Sequence, residues 1–252
     1  MLLLLGILAV STAAILIKLA LPFASPIAIA FHRLAFSAAI AIAIFLFTKR
    51  DQRLQIDRKQ LGLLILSGIL SPLVLKENVP RRFYVGVLFA FAGGLLIALL
   101  NQGNSGQSTL LGLVMALFSA WMIAGYLLVG RKIAAQMSTE LYVSFVYTIA
   151  AIVLGVVMLL VDKTYETYQP NMYLLLFLLA LVPQTLGHTS LNKAMKYLPA
   201  RTVSLALLFE PIGSSILAIL FLNEIPSAVE IAGGILILFG LVFASSAKAN
   251  AA

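Results

Sequence analysis

The sequence contains no cysteine and only two histidines among its 252 residues. Without cysteine there is no disulfide bond, no thiolate nucleophile and no sulfur-ligated metal. His32 and His188 cannot furnish an ordinary zinc site by themselves, and the three aspartates, Asp51, Asp57 and Asp162, lie in connectors. No glycine-rich loop ends in Lys-Ser or Lys-Thr, which excludes a nucleotide-driven pump. We therefore predict no metal, no cofactor and no enzymatic activity.

Charged residues are also scarce, at 10% of the chain, whereas hydrophobic residues make up 62%. Such a chain cannot bury its apolar surface in a water-soluble core, so its solvent must be lipid. The net charge of +8 comes from basic residues gathered in short connectors. There they orient helices in a bilayer rather than bind nucleic acid. We predict an all-α integral membrane protein.

Eight apolar runs come close to the roughly 20 residues that a bilayer requires. They are 2–21, 25–47, 83–100, 110–130, 141–161, 172–193, 202–222 and 228–245. A ninth run, 61–75, reaches only about 22 Å as a helix against roughly 30 Å of hydrocarbon, and Ser71-Pro72 interrupts it. We predict that it does not cross.

The distribution of cations supports the non-crossing interpretation. If 61–75 does not cross, nearly all connector cations collect on one face and only Lys163 lies opposite. If it does cross, this bias disappears. We therefore predict a multi-pass protein of the cell membrane with both termini in the cytoplasm.

The pattern Glu, eight residues, Gly, six residues, Gly occurs twice. Its copies are Glu77, Gly86 and Gly93, and then Glu224, Gly233 and Gly240. The duplication, with opposite predicted orientations, indicates an inverted-repeat helical bundle. We predict that Gly93-Gly94 and Gly233-Gly234 allow close helix packing, and that Glu77 and Glu224 cap helix starts.

The two repeats differ in length. Glu224 comes 53 residues after Asn171, whereas Glu77 comes only 18 after Lys59, so about 35 residues, one and a half helices, are missing from the first copy. We predict a first repeat at 1–100, a linker at 101–109 and a complete five-helix second repeat at 110–246.

Both copies resemble the EamA type of the drug/metabolite transporter superfamily, which usually has ten helices in two inverted repeats. The matching residues are Lys18, Ser25-Pro26, Arg33, Ala194, Pro199-Ala200, Ser204, Glu210-Pro211 and Glu224. The resemblance implies a secondary transporter, exporter or importer, of a small organic metabolite or drug, whose first repeat lacks most of helices three and four. Its members handle amino acids, nucleotide-linked sugars and drugs.

Two ionisable residues lie deep in apolar spans, where a charge is costly unless it is paired or hydrated. Glu210 is a candidate carrier of a coupling proton, or it holds helices together. Arg33 is a candidate holder of a substrate carboxylate or phosphate, or it pairs with Glu210 as a structural clamp. Pro211, directly after Glu210, predicts a kink at that depth.

Several other polar and aromatic residues are candidates for the substrate site. Gln184, His188 and Asn192 are spaced four apart and form a stripe that lines a cavity or bonds helices together. Trp121 and Tyr126 could stack on a ligand, although packing is commoner for aromatics.

Lys18, near the end of its span, either faces the site or reaches the membrane interface. The alternative to a transporter is a truncated, non-transporting protein, or a subunit that needs a partner such as a second copy of the chain.

Overall fold

The computed structural model describes residues 1–48, 81–100, 118, 137–162, 168–198 and 200–245. Within them, every regular element is helical. The helices are α1 (Leu2–Ala20), α2 (Pro26–Thr48), α3 (Arg81–Leu100), α4 (Thr139–Val161), α5 (Pro170–Ala194), α6 (Ala200–Leu207), α7 (Glu210–Leu222) and α8 (Ala228–Ser245). The chain divides into two compact units, of which unit 1 holds α1, α2, α4 and α5, and unit 2 holds α3, α6, α7 and α8.

Five apolar helical spans in the described part of the chain have the length and hydropathy to cross a membrane. They are α1, α2, α4, α5 and Leu205–Leu222, which includes α7. The apolar stretches of α3 and α8 are shorter, at Tyr84–Ile97 and Ala228–Ala244. The prediction of an all-α membrane protein is confirmed. The predicted segments 61–75 and 101–109 lie outside the described residues, as does 110–130 apart from Phe118.

Serine and proline residues fix where three helices of unit 1 begin. The Oγ of Ser25 accepts a hydrogen bond from the amide of Ala28 at 3.1 Å, and that of Ser138 accepts one from the amide of Leu141 at 3.3 Å. Both bonds satisfy amides that have no partner within the helix. Pro170 opens α5, where its missing N–H costs nothing.

A capping box begins α8 in unit 2. The amide of Ser227 donates to the Glu230 carboxylate at 2.6 Å, and the amide of Glu230 donates to Ser227 Oγ at 3.2 Å. Glu224 instead lies just beyond Asn223, whose left-handed backbone ends α7. The prediction that Glu224 caps the last helix is therefore wrong, and Glu77 lies outside the described residues.

Two glycines bring α1 and α5 close together in unit 1. A Cβ on Gly187 would lie 2.7 Å from Val10 Cγ2, and one on Gly6 would lie 3.0 Å from Leu191 Cδ2. Gly6 of α1 lies against Leu191 of α5, and Val10 lies against Gly187. The two helices therefore run antiparallel. In lipid, where apolar burial gives no driving force, this close packing supplies much of the attraction.

The contacts of α2 with α4 fix their relative direction. Ser25 donates a hydrogen bond to the Asp162 carboxylate just past the end of α4, and a Cβ on Gly155 would lie 3.0 Å from the ring of Phe31. These contacts make α2 and α4 antiparallel. The end of α2 and the start of α4 therefore lie at the same end of unit 1, which is the arrangement that the predicted topology requires.

The repeated glycines face one another in unit 2. A Cβ on Gly86 would lie 2.4 Å from the carbonyl oxygen of Gly240, and one on Gly93 would lie 2.5 Å from that of Gly233. The converse distances are 2.4 and 2.7 Å. The first glycine of each copy thus meets the second glycine of the other. This reciprocity makes α3 and α8 antiparallel about a local twofold axis, as an inverted repeat predicts.

The neighbouring glycines do not share this packing role. Among the described residues, a Cβ placed on Gly94 or Gly234 would meet nothing within 4 Å. The prediction of close approach is therefore wrong for these two residues, because each lies about 100° around its helix from the glycine at the contact.

The span that carries Glu210 is broken between α6 and α7. The amides of Leu208 and Phe209 bond to carbonyls only three residues earlier, each at 3.1 Å. Pro211 cannot donate to the carbonyl of Leu207, so the regular ladder is interrupted there. The break lies where Pro211 predicts a kink, and Glu210 becomes the first residue of α7.

Candidate functional site

The middle of α5 is not an α-helix. Residues Ala180–His188 form a π-helical segment that contains Pro183. Because proline has no N–H, the carbonyl of Leu179 loses its α-helical partner, and the wider turn accommodates the defect. Such π segments occur frequently at functional sites. This one lies near the middle of a 25-residue span.

Hydroxyl groups satisfy two backbone carbonyls of the π segment. The carbonyl of Ala180 accepts from Ser37 Oγ of α2 at 3.0 Å and from Thr185 Oγ1 at 2.8 Å. The carbonyl of Gln184 accepts from Tyr147 Oη of α4 at 3.2 Å. Ser37 is 0% exposed and Tyr147 is 1% exposed, so these bonds lie inside unit 1. Two neighbouring helices therefore hold the distorted segment in place.

The side chain of Gln184 is buried, at 6% exposure. Its Oε1 atom has no hydrogen-bond partner in the part of the chain that the structure describes. A buried acceptor without a donor costs about 1–3 kcal/mol, and more is expected deep in a membrane. A polar atom kept at this cost in the interior of unit 1 is suited to accept a hydrogen bond from a ligand or from water.

Arg33 and His188 lie on two packed helices of unit 1. Arg33 is on α2, and its carbonyl accepts from Ser37 Oγ at 2.7 Å. α2 packs against the π segment of α5, which ends at His188. Both residues are partly buried. The structure thus places two of the predicted site residues on neighbouring helices of unit 1.

Asn192 completes the predicted stripe on α5. It is 4% exposed, and its Nδ2 donates to the carbonyl of His188 at 2.8 Å. Gln184 and Asn192 are therefore both buried in the protein rather than exposed to lipid. The assignment of the stripe to a substrate cavity stays a prediction.

His32 belongs to a different group of side chains. Its Nδ1 bonds to the carbonyl of Ala28 at 2.8 Å, and its ring lies 5.8 Å from that of Tyr168 and 6.3 Å from that of Tyr173. Phe31 packs edge-on at 5.1 Å. The expected 100° between His32 and Arg33 around the helix accounts for this separation.

The remaining predicted residues lie elsewhere. Glu210 belongs to unit 2, where it is partly buried at the start of α7. Lys18 is exposed in the last turn of α1, the position expected of a side chain that reaches the interface. Trp121 and Tyr126 lie outside the described residues.

Sequence reasoning missed the hydroxyl residues of the site. Ser37, Tyr147 and Thr185 are ordinary members of apolar spans, and single hydroxyls there carry no distinctive signal. Pro183 inside an apolar span is a signal of an irregular helix, but it does not show which neighbours supply the donors. In the described residues, no group of three or more metal-binding side chains is present.

Taken together, the spans and the buried polar groups define a multi-pass, all-α membrane protein with hydrogen-bonding groups inside a helical unit. Residues 110–246 match the EamA-like transporter family. The chain belongs to that family, which confirms the resemblance seen in the sequence.

Two bacterial relatives are similar over most of this chain. An uncharacterized transporter of Clostridium kluyveri is 26% identical over 188 residues, covering 70% of this chain and 59% of the relative. The uncharacterized transporter YwfM of Bacillus subtilis is 24% identical over 183 residues, covering 73% and 61%. The matched region thus spans about three fifths of each relative.

A solved structure has the same fold. A protein crystal structure superposes with a TM-score of 0.73 over 97% of this chain and 95% of its own, at 18% identity. This likeness concerns the fold alone.

Proposed function

We propose that the protein is a secondary transporter of a small organic metabolite across the cell membrane, with both termini in the cytoplasm. The buried side chain of Gln184, within the π-helical segment, is the observation that carries the proposal. Its Oε1 atom has no hydrogen-bond partner among the described residues, and such a group is retained in a membrane interior where it serves a function. Family membership supports the same conclusion.

The proposed roles follow from chemistry and placement. Arg33 holds an anionic group of the substrate. Gln184, His188 and Asn192 form the polar wall. Glu210, at the start of a half-helix in unit 2, takes up the coupling proton. A charged carboxylate is costly inside a membrane, so binding a proton there is favourable.

Efflux from proteoliposomes tests the proposal. Because the substrate is not known, the vesicles are loaded with a mixture of metabolites. Vesicles that contain the purified protein are loaded with a deproteinised cell extract, and mass spectrometry identifies the compounds that leave. We expect a small group of chemically related metabolites to leave faster than from protein-free vesicles. Equal loss of every compound from both kinds of vesicle would contradict transport.

A subunit that needs a partner is the second candidate, and the short spacing between Lys59 and Glu77 favours it. A second copy would then supply the helices that the first repeat lacks. Light scattering in detergent gives the oligomeric state, and flux measured at increasing protein-to-lipid ratios tests the requirement. If the protein is a monodisperse monomer and flux rises in proportion to the amount of protein, the requirement for a partner is excluded.

A further inference from the structure

The π segment sets the register of the second half of α5. A π turn bonds residue i to i+5 rather than i+4, so it holds one more residue than an α turn. Conversion of this segment to a regular α-helix would therefore rotate every later residue by about 100°. His188 and Asn192 would then face different neighbours.

The two hydroxyls from other helices, those of Ser37 and Tyr147, each have a second hydrogen-bond partner. Ser37 Oγ lies 3.0 Å from the Ala180 carbonyl and 2.7 Å from the carbonyl of Arg33 on its own helix. Tyr147 Oη lies 3.2 Å from the Gln184 carbonyl and 3.3 Å from Thr189 Oγ1. Ser37 Oγ can leave the Ala180 carbonyl and keep its hydrogen bond on α2. Both partners of Tyr147 lie on α5, so its two contacts exist together only in the π register.

The packing of α1 depends on the same register. Only glycine fits at position 187, since a Cβ there would lie 2.7 Å from Val10 Cγ2 and 3.0 Å from the Val10 amide nitrogen. A one-residue shift would bring the Cβ-bearing Leu186 toward this contact. The register of α5 and the closeness of α1 are therefore coupled.

We propose that Ser37 and Tyr147 are positioning residues whose hydroxyls hold α5 in the π register and thereby decide which side chains point into unit 1. The purpose of this control rests on the proposed transport function, in which a change of register would reorient the polar wall. The register itself can be measured without any substrate.

Disulfide formation between α1 and α5 reports the register, and the absence of native cysteine gives a clean background. A Cβ on Gly6 would lie 3.1 Å from Leu191 Cγ, which places the two Cβ atoms near the separation of about 3.5–4.5 Å that a disulfide needs. The pair Gly6→Cys with Leu191→Cys should therefore cross-link. In the α register residue 190 takes the place of residue 191, so Gly6→Cys with Ser190→Cys reports the shifted state.

The measurement is the ratio of the 6–191 to the 6–190 cross-link yield in membranes, with and without Ser37→Ala and Tyr147→Phe. We expect the double variant to lower this ratio about tenfold, the effect that loss of one or two ordinary hydrogen bonds has on a two-state equilibrium. Each single variant should give an intermediate ratio, which keeps the test valid if the double variant does not fold.

Two matched variants remove hydroxyls whose hydrogen bonds, among the described residues, stay within α4. Ser144 Oγ donates to the carbonyl of Glu140 at 2.7 Å, and Thr148 Oγ1 donates to that of Ser144 at 2.6 Å. Ser144→Ala and Thr148→Val should leave the ratio at its parental value. An unchanged ratio in both Ser37→Ala and Tyr147→Phe, or an equal fall in the controls, would overturn the proposal while leaving the transport proposal intact.

Discussion

At the scale of single residues, function and stability make opposite demands on Gln184. Its buried Oε1 lacks a donor within the described structure, and apolar replacement of such a group is neutral or stabilising. We expect Gln184→Leu to keep or raise the thermal unfolding temperature in detergent and to lower flux at least tenfold. Lost flux together with a large fall in the unfolding temperature would show that Gln184 is structural.

Arg33 is expected to act through both its charge and its shape. Arg33→Ala should abolish flux with little loss of folded protein, whereas Arg33→Lys should retain a small part, because lysine keeps the charge but not the planar donor array. Size-exclusion chromatography measures the folded fraction alongside flux. Full activity of both variants would remove Arg33 from the site.

Glu210 carries the prediction of pH dependence. Lower pH favours its neutral form, so a proton-coupled rate should change between about pH 5 and 8. Glu210→Gln, which imitates the neutral carboxyl, should give a rate that no longer varies with pH. Flat parental rates over this interval would argue against proton coupling.

At the scale of helices, the glycine pairs offer a test with an internal control. Gly240→Ala places a Cβ 2.4 Å from the Gly86 carbonyl oxygen, and overpacking of this kind costs about 1–3 kcal/mol. Gly234→Ala adds a Cβ that meets no described residue within 4 Å and should cost no stability. Thermal unfolding of the two variants compares them directly, and equal stability would refute the contact between α3 and α8.

Helix-level features differed in how far the sequence revealed them. Hydrophobic length predicted the five described spans that are long enough to cross a membrane, and Pro211 located the break before α7, because both effects are local to the chain. The glycine spacing indicated a repeat, but only the structure showed that Gly86 and Gly93 form the contact and that Gly94 does not. The hydroxyls of Ser37 and Tyr147 were not predictable, since their role depends on which helices become neighbours.

At the scale of the whole molecule, the topology remains a prediction that cysteine labelling can test. Gln169 and Lys196 are exposed on either side of α5. A membrane-impermeant maleimide should label Lys196→Cys from the cytoplasmic side and Gln169→Cys from the opposite side. Lys76→Cys should be labelled from the same side as Lys196→Cys if 61–75 does not cross. Labelling of Lys76→Cys from the side that labels Gln169→Cys would refute that interpretation.

The most direct test of the account is counterflow of the identified substrate through Gln184→Leu, compared with Leu186→Ala on the same π segment. Leu186 is 54% exposed, whereas Gln184 is buried, so the two changes separate the interior of unit 1 from its outer surface. If the substrate passes Gln184, the Gln184→Leu variant loses flux while remaining folded, and Leu186→Ala transports at nearly the parental rate. Parental flux through Gln184→Leu would contradict the assignment of the substrate path to this interior.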